Sequence, residues 1–169
     1  MAGKLVQVAT ETVTSAVASV TLTGIDSDDV YMVAYNNALP DTDARYLWVR
    51  FTTSGTADTT ANYDYAMKDL RADTTFGNYA LTNQTKIQLQ PLGTAGNEQS
   101  NGIFYLYNFN NSSEYCFMTN ETSAFIFTSA HRGYSGGAVH TVAQACDGIE
   151  FSMSTGNIDS GTFTLYKVL

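Results

Sequence analysis

Hydrophobic and polar residues alternate with a period of two along most of this chain, a pattern typical of β-strands that bury one face. The clearest case is Arg45–Thr53, where Leu47, Val49 and Phe51 occupy every second position. The same alternation predicts strands over Lys4–Val8, Ser19–Ile25, Val30–Tyr35, Arg45–Thr53, Lys86–Leu92, Gly102–Phe109, Tyr115–Thr119, Ser123–Ser129, Gly148–Ser154 and Thr162–Val168.

Short turns rich in Asn, Asp and Gly separate these segments. Only Asn62–Arg71 and Ala138–Ala145 have weak helical potential, and neither is long enough to organise a fold. The pattern therefore predicts an all-β protein, an antiparallel β-sandwich or jelly roll of about eight to ten strands with minimal helix. No repeat or linker divides the chain, so we predict an N-terminal segment or arm over residues 1–17 and a single jelly-roll domain over residues 18–169.

Composition supports strands and limits the classes of partner. Only 14% of the residues are charged, against about 25% in typical globular domains, while 44% are hydrophobic. The formal net charge is -8, and the eight basic residues lie singly along the chain, which argues against nucleic acid and anionic membranes as partners. No stretch approaches the roughly 18 consecutive apolar residues of a membrane span.

One motif suggests catalysis. Gly133–Gly137 fits the G-x-S-x-G pattern of a nucleophilic serine, with Ser135 at its centre. That motif works on a mostly parallel sheet and is followed by an acid and then a late histidine, whereas here His140 comes five residues after Ser135 and Asp147 and Asp159 come later. We interpret the segment as a glycine-rich loop between strands and expect a protein without catalytic residues.

Two groups of acidic residues are candidate cation ligands. Asp26, Asp28 and Asp29 form one group, and Asp41 and Asp43 form the other. Neither is followed by the glycine and distal glutamate of a calcium loop, so we interpret both as solvated turns, with a weak cation site as the alternative.

His131, His140, Cys116 and Cys146 are the candidate zinc ligands, but they lack the spacing of a zinc site. We therefore predict no bound metal and no cofactor. The two cysteines lie thirty residues apart in apolar-rich segments. Two free buried thiols are the favoured interpretation, with a disulfide as the alternative.

Aromatic residues are concentrated in Gly102–Phe109. In a regular strand Tyr105, Tyr107 and Phe109 share one face, with Phe104 and Leu106 on the other, so we expect both faces to be covered. Sheet packing explains such a segment most simply. Contact with a subunit or another protein is one alternative, and contact with carbohydrate is another.

The C-terminal segment Gly148–Leu169, with its Gly-Asn turn and closing Ser-Gly-Thr-Phe-Thr-Leu-Tyr strand, resembles the end of bacteriophage virion proteins with a jelly-roll fold. Lys167 departs from that pattern, because the group usually has glycine after the Leu-Tyr pair. Four further segments share the resemblance, and they are Asn37–Asp43, Leu47–Phe51, Asn62–Ala66 and Gly133–Gly137.

The resemblance implies a capsid decoration (cement) protein, a head fibre, or a tail-fibre or receptor-binding module, generally a homotrimer. Because the chain has no stalk or shaft repeat, we favour a non-enzymatic decoration protein on the outer surface of the phage head, made in the host cytoplasm. It would bridge subunits of the major capsid protein, with Ala2–Thr14 as an arm. The alternatives are a module that recognises host cell-surface glycan and a small hydrolase that uses Ser135.

Overall fold

A computed structural model describes residues 3–169, which form β-strands joined by turns and contain no helix. The strands are β1 (Leu5–Val13), β2 (Ser19–Thr23), β3 (Tyr31–Pro40), β4 (Arg45–Thr53), β5 (Thr56–Ala57), β6 (Tyr63–Arg71), β7 (Gly77–Gln84), β8 (Ile87–Leu92), β9 (Ser100–Tyr107), β10 (Cys116–Ile126), β11 (Ala130–His140), β12 (Gly148–Met153) and β13 (Ile158–Val168).

These strands form two antiparallel sheets. The larger sheet has eight strands in the order β1-β13-β3-β9-β10-β11-β6-β7. The smaller sheet has the order β2-β12-β4, and the far edge of β4 is shared by β5 and β8. This arrangement confirms the predicted all-β fold with two packed sheets, although it contains thirteen strands rather than eight to ten.

Aromatic rings from both sheets meet at the centre of the core. Phe151 of β12 lies 4.9 Å from Phe163, 5.6 Å from Tyr35 and 5.9 Å from Phe104, measured between ring centroids. Since the last three rings belong to the larger sheet, the smaller sheet inserts one ring among three. Tilted and stacked aromatic contacts of this kind add to the stabilisation from apolar burial.

The alternation in β4 is predicted correctly to the residue. Leu47, Val49 and Phe51 are fully buried, whereas Tyr46 and Trp48 lie on the other face of the smaller sheet. Successive side chains of a strand point to opposite faces, so a single buried face accounts for the whole pattern.

Three predicted elements are wrong. The helix expected over Asn62–Arg71 is strand β6, in which Tyr63, Tyr65 and Met67 are buried. The glycine-rich loop expected at Gly133–Gly137 lies within strand β11, where glycine allows close approach of neighbouring strands. A Cβ atom on Gly137 would come within 2.6 Å of the carbonyl oxygen of Met118. The helix expected over Ala138–Ala145 is the end of β11 followed by irregular chain.

Other strands differ from the prediction in number and length. The segments Tyr115–Thr119 and Ser123–Ser129 are parts of one strand, β10. Apart from β6 and β11, the strands β5 and β7 were also not predicted. β5 has only two residues, and β7 lies mostly exposed at the edge of its sheet, so neither has the alternation that marks a buried face.

The N-terminal residues pair within the chain itself. Strand β1 is antiparallel to β13 and forms one edge of the larger sheet. Residues 15–17 follow it, and Val17 forms a single bridge to Ile158. Met1 and Ala2, the first residues of the predicted segment, lie outside the described residues. Within residues 3–169 there is no helix with the length and apolarity needed to cross a membrane.

We expect Val49→Asp to abolish soluble expression, because it places an unpaired carboxylate at a fully buried position between β12 and β8. Thr21→Asp is the control, since Thr21 lies exposed on β2. The measurement is the soluble fraction after expression, and a folded, soluble Val49→Asp variant would show that this face is not core.

Candidate binding surface

The side of the eight-stranded sheet that faces away from the core carries exposed apolar residues. Ile103 and Tyr105 of β9 are 45% and 41% exposed, and Phe117 of β10 is 44% exposed. Residues between them, such as Phe104, are fully buried against the other sheet. We name the surface formed by Ile103, Tyr105, Phe117, Val139, Ala66 and Ala80 the outer apolar face.

This result corrects the expectation that both faces of Gly102–Phe109 are covered. The face that contains Phe104 and Leu106 is covered, but Tyr105 on the opposite face is open within the chain. Phe109 does not share the face of Tyr105. It follows the end of β9 and its side chain is fully buried.

Small residues make the centre of the outer apolar face a hollow. Cross-strand pairing places Thr119 opposite Gly137, Gly137 opposite Ala66, and Ala66 opposite Ala80. Larger side chains at the border, among them Phe117, leave an open hollow of about 740 Å³ above this row. Its shape suits the insertion of side chains from another molecule.

Few charges interrupt the outer apolar face. Glu121 of β10 and Lys68 of β6 lie on either side of Ser135 in one cross-strand row. Asp64 is held by the backbone N–H of Asn83, which donates to its carboxylate at 2.7 Å. These three positions bring one cation and two anions to the outward side of the sheet, although the whole chain carries a net charge of -8.

The structure places Ser135 in the middle of β11, in an antiparallel sheet, with Glu121 and Lys68 as its cross-strand neighbours. Both histidines bond elsewhere. The Nε2 of His131 lies 3.0 Å from the hydroxyl of Ser123, and the Nε2 of His140 lies 2.6 Å from a carboxylate oxygen of Asp58. Ser135 thus lacks the strand-to-helix turn and the histidine contact that a nucleophilic serine needs.

His140 and Asp58 form a contact at one end of the core. His140 is fully buried, and Asp58 also accepts hydrogen bonds from Thr60 and Asn62. Partial burial opposes ionisation of Asp58, but the hydrogen bonds from Thr60, His140 and Asn62 outweigh it and lower its pKa to about 2. The contact ties the segment before β6 to the end of β11.

Both cysteines are free and buried, as predicted. The thiol of Cys116 donates to the carbonyl oxygens of Asn108 and Gln144, at 3.7 and 3.6 Å. Interaction between the two thiols lowers the pKa of Cys116 and raises the pKa of Cys146. The backbone N–H of Cys146 donates to the carbonyl oxygen of Phe109, so the pair lies where two loops meet beside the core.

Lys167 lies among the first acidic group. Its Nζ is 2.8 Å from Asp29, 3.6 Å from Asp26 and 2.7 Å from the hydroxyl of Ser27. The Tyr31 hydroxyl donates to Asp26 at 2.9 Å. This hydrogen bond and the charge of Lys167 lower the pKa of Asp26. The hydrogen bond from Lys167, with that from Ser27, lowers the pKa of Asp29.

Two of the other three aspartates in the two acidic groups contact polar groups of the protein. Asp28 accepts a hydrogen bond from the side chain of Asn111, and Asp41 accepts two from Asn157. Asp43 is exposed. In the part of the chain that the structure describes, no three His, Cys, Asp or Glu side chains are placed to hold one metal ion.

The smaller sheet has a different outward surface, which we name the Trp48 face and define by Tyr46, Trp48, Arg50, Lys86 and Gln88. The Nζ of Lys86 lies 4.9 Å from the centroid of the Trp48 ring, and the guanidinium carbon of Arg50 lies 5.4 Å from it. The indole N–H donates to Gln88 at 3.1 Å. Sequence reasoning overlooked this surface, although Trp48 is the single tryptophan and alternates with the buried positions of β4.

Comparison with known proteins adds no relative. No protein-family model matches the chain, and a search of curated proteins found no match. The indications of function are therefore the two outward surfaces and the resemblance carried by the residues themselves.

We expect Lys167→Met to lower the melting temperature in low salt by a few degrees at most, because exposed ion pairs contribute little. The lowered pKa values of Asp26 and Asp29 mean that their contribution is present above about pH 4 and is lost as the pH falls through those values. Thermal melts from pH 7 to pH 2 measure it. Lys4→Met is the control. If the melting temperature of Lys167→Met differed from that of wild type by the same amount at pH 7 and at pH 2, the contribution of these ion pairs would be contradicted.

We also expect a chelator to leave the melting temperature unchanged, because Lys167 already neutralises part of the first acidic group. A fall of several degrees with EDTA, reversed by added calcium, would instead show that the carboxylates hold a cation.

Proposed function

We propose that this protein is a non-enzymatic structural component of a bacteriophage particle, a capsid decoration protein that binds the outside of the head. The observation that carries the proposal is the outer apolar face, an exposed apolar surface with a hollow at its centre. We propose a capsid protein as the partner because Gly148–Leu169 and four further segments resemble phage virion jelly-roll proteins.

The chemistry of the outer apolar face favours a protein partner. Contiguous exposed apolar surface is costly in water and marks interaction sites in soluble proteins. Aromatic side chains such as Tyr105 and Phe117 are enriched at the centres of interfaces, and charged residues are depleted there. The hollow beside Phe117 would accept side chains from a capsid subunit and exclude water from the contact.

Binding would stabilise the head by burying surface from two neighbouring subunits of the major capsid protein at once. A stable interface buries about 1,600 Å² in total. The resemblance implies a homotrimer, in which several copies of the face around an axis would multiply the effect of each weak contact. The strand-rich fold supplies a rigid support for this face.

The test is binding to phage heads that lack the protein. We expect Phe117→Lys to weaken the affinity for such heads, measured by co-sedimentation, by about 30-fold or more, because it places a charge beside the hollow that the partner would fill. Tyr46→Lys is the matched control, since Tyr46 is 37% exposed on the other sheet. Equal binding by both variants and wild type would contradict the proposal.

The Trp48 face supports a second candidate function, recognition of a host cell-surface glycan by a tail-fibre or receptor-binding module. Exposed Tyr46 lies beside Trp48, and Arg50, Lys86 and Gln88 place polar groups around the two rings. An aromatic surface with a polar border suits the apolar side of a sugar ring and its hydroxyl groups.

Binding to purified glycans or host cells tests the second candidate with the same two variants. If the Trp48 face binds sugar, Tyr46→Lys will lose binding to a glycan panel and Phe117→Lys will retain it. Retention by Tyr46→Lys, or absence of any glycan binding by wild type, would contradict this candidate.

A further inference from the structure

Strand β7 is the last strand of the eight-stranded sheet at the side opposite β1. One side of β7 pairs with β6 in regular antiparallel register from Gly77 to Leu81. Its other side has no paired strand among residues 3–169. The backbone N–H and C=O groups on that side are therefore available to another strand.

The sequence of β7 lacks the usual protection of an edge strand. Natural edges carry charged residues, proline or covering segments that prevent pairing with another chain. Residues 74–85 contain no charged residue and no proline, and the nearest charges in sequence are Asp73 and Lys86. The opposite edge is better protected, because β1 contains Glu11, has a bulge between Gln7 and Ala9, and contacts β2.

Exposed apolar side chains flank the open edge. Phe76 comes directly before β7 and is 60% exposed, and Leu81 within the strand is 42% exposed. Tyr79 is half-buried against Tyr65 and Tyr134. An edge with free backbone groups and neighbouring apolar side chains can gain both hydrogen bonds and apolar burial from an added strand.

We propose that β7 pairs antiparallel with β7 of a second copy of this chain, across a two-fold axis that passes near Ala80. In this register Tyr79 lies opposite Leu81 of the second copy, and Asn78 lies opposite Thr82. Each contact occurs twice because of the symmetry, so an aromatic side chain meets an aliphatic one and a polar side chain meets a polar one.

Charge favours this edge over the other surfaces for a contact between two copies. Two copies with a net charge of -8 each repel one another, and the repulsion is least where the approaching segments carry no charge. Residues 74–85 provide such a segment on both copies. The two-fold pairing also uses the β7 edge of each copy, so the assembly closes at two chains and does not extend into a filament.

The pairing would join the two larger sheets into one and place the two copies of the outer apolar face side by side. A two-fold pair differs in symmetry from the homotrimer that the resemblance implies. The pairing uses only the edge of β7, and it does not require that the partner of the outer apolar face be a capsid protein.

Sedimentation equilibrium on the purified full chain tests the pairing. We expect wild type to approach twice 18.3 kDa as its concentration rises. We expect Leu81→Lys to remain at 18.3 kDa, because each copy then places a charged lysine opposite Tyr79 of the other copy in place of an apolar contact. Gln7→Lys on the β1 edge is the matched control and should behave as wild type. Circular dichroism and thermal melts verify that each variant is folded, and Thr82→Lys, at another exposed position of β7, replaces Leu81→Lys if that variant does not fold.

A wild-type mass of one chain at all concentrations, a mass of three chains, or an unchanged dimer in the folded β7 variants would overturn the proposal. None of these results depends on phage heads. Failure of the pairing is therefore distinguishable from failure of the decoration function, which head binding by Phe117→Lys measures separately.

Discussion

The contact of Phe151 with Tyr35, Phe104 and Phe163 is the interaction on which the rest of the structure depends. It fixes which face of each central strand points inward, because one ring from the smaller sheet must fit among three from the larger sheet. Once these residues point inward, the alternating residues point outward by the geometry of a strand. The smaller sheet covers only one side of the larger sheet, so the outer apolar face has no cover within the described residues.

The sequence predicted β4 and β12 correctly, and both strands bury one face. The sequence did not predict β6 and β11, because their strand positions hold residues that are also common in helices or loops. In β6, Tyr63, Tyr65 and Met67 alternate with polar and small residues, but tyrosine and alanine also occur in short helices. In β11 the glycines suggested a loop, whereas their role is to let neighbouring main chains approach closely. Strand β7 gave no signal because neither of its faces is well buried.

The candidate sites were less predictable, because they join residues that are distant in the chain. The acidic residues near Asp26 were visible in the sequence, but their neutralising partner, Lys167, lies about 140 positions later and meets them only through the fold. Similarly, alternation identifies Tyr105 as a strand residue, but it does not reveal that its side of the sheet stays uncovered. That fact depends on the order of strands in the sheet, and it is the basis for interpreting the surface as a protein interface.

The most direct test of the account is hydroxyl-radical footprinting of the protein free in solution and bound to phage heads, with the oxidation of each residue measured by mass spectrometry. We expect the oxidation of Phe117 and Tyr105 to fall strongly when the protein is bound to the particle, while Tyr46 on the opposite sheet is oxidised as in the free protein. Protection of Tyr46 and Trp48 together with unchanged oxidation of Phe117 and Tyr105 would contradict it.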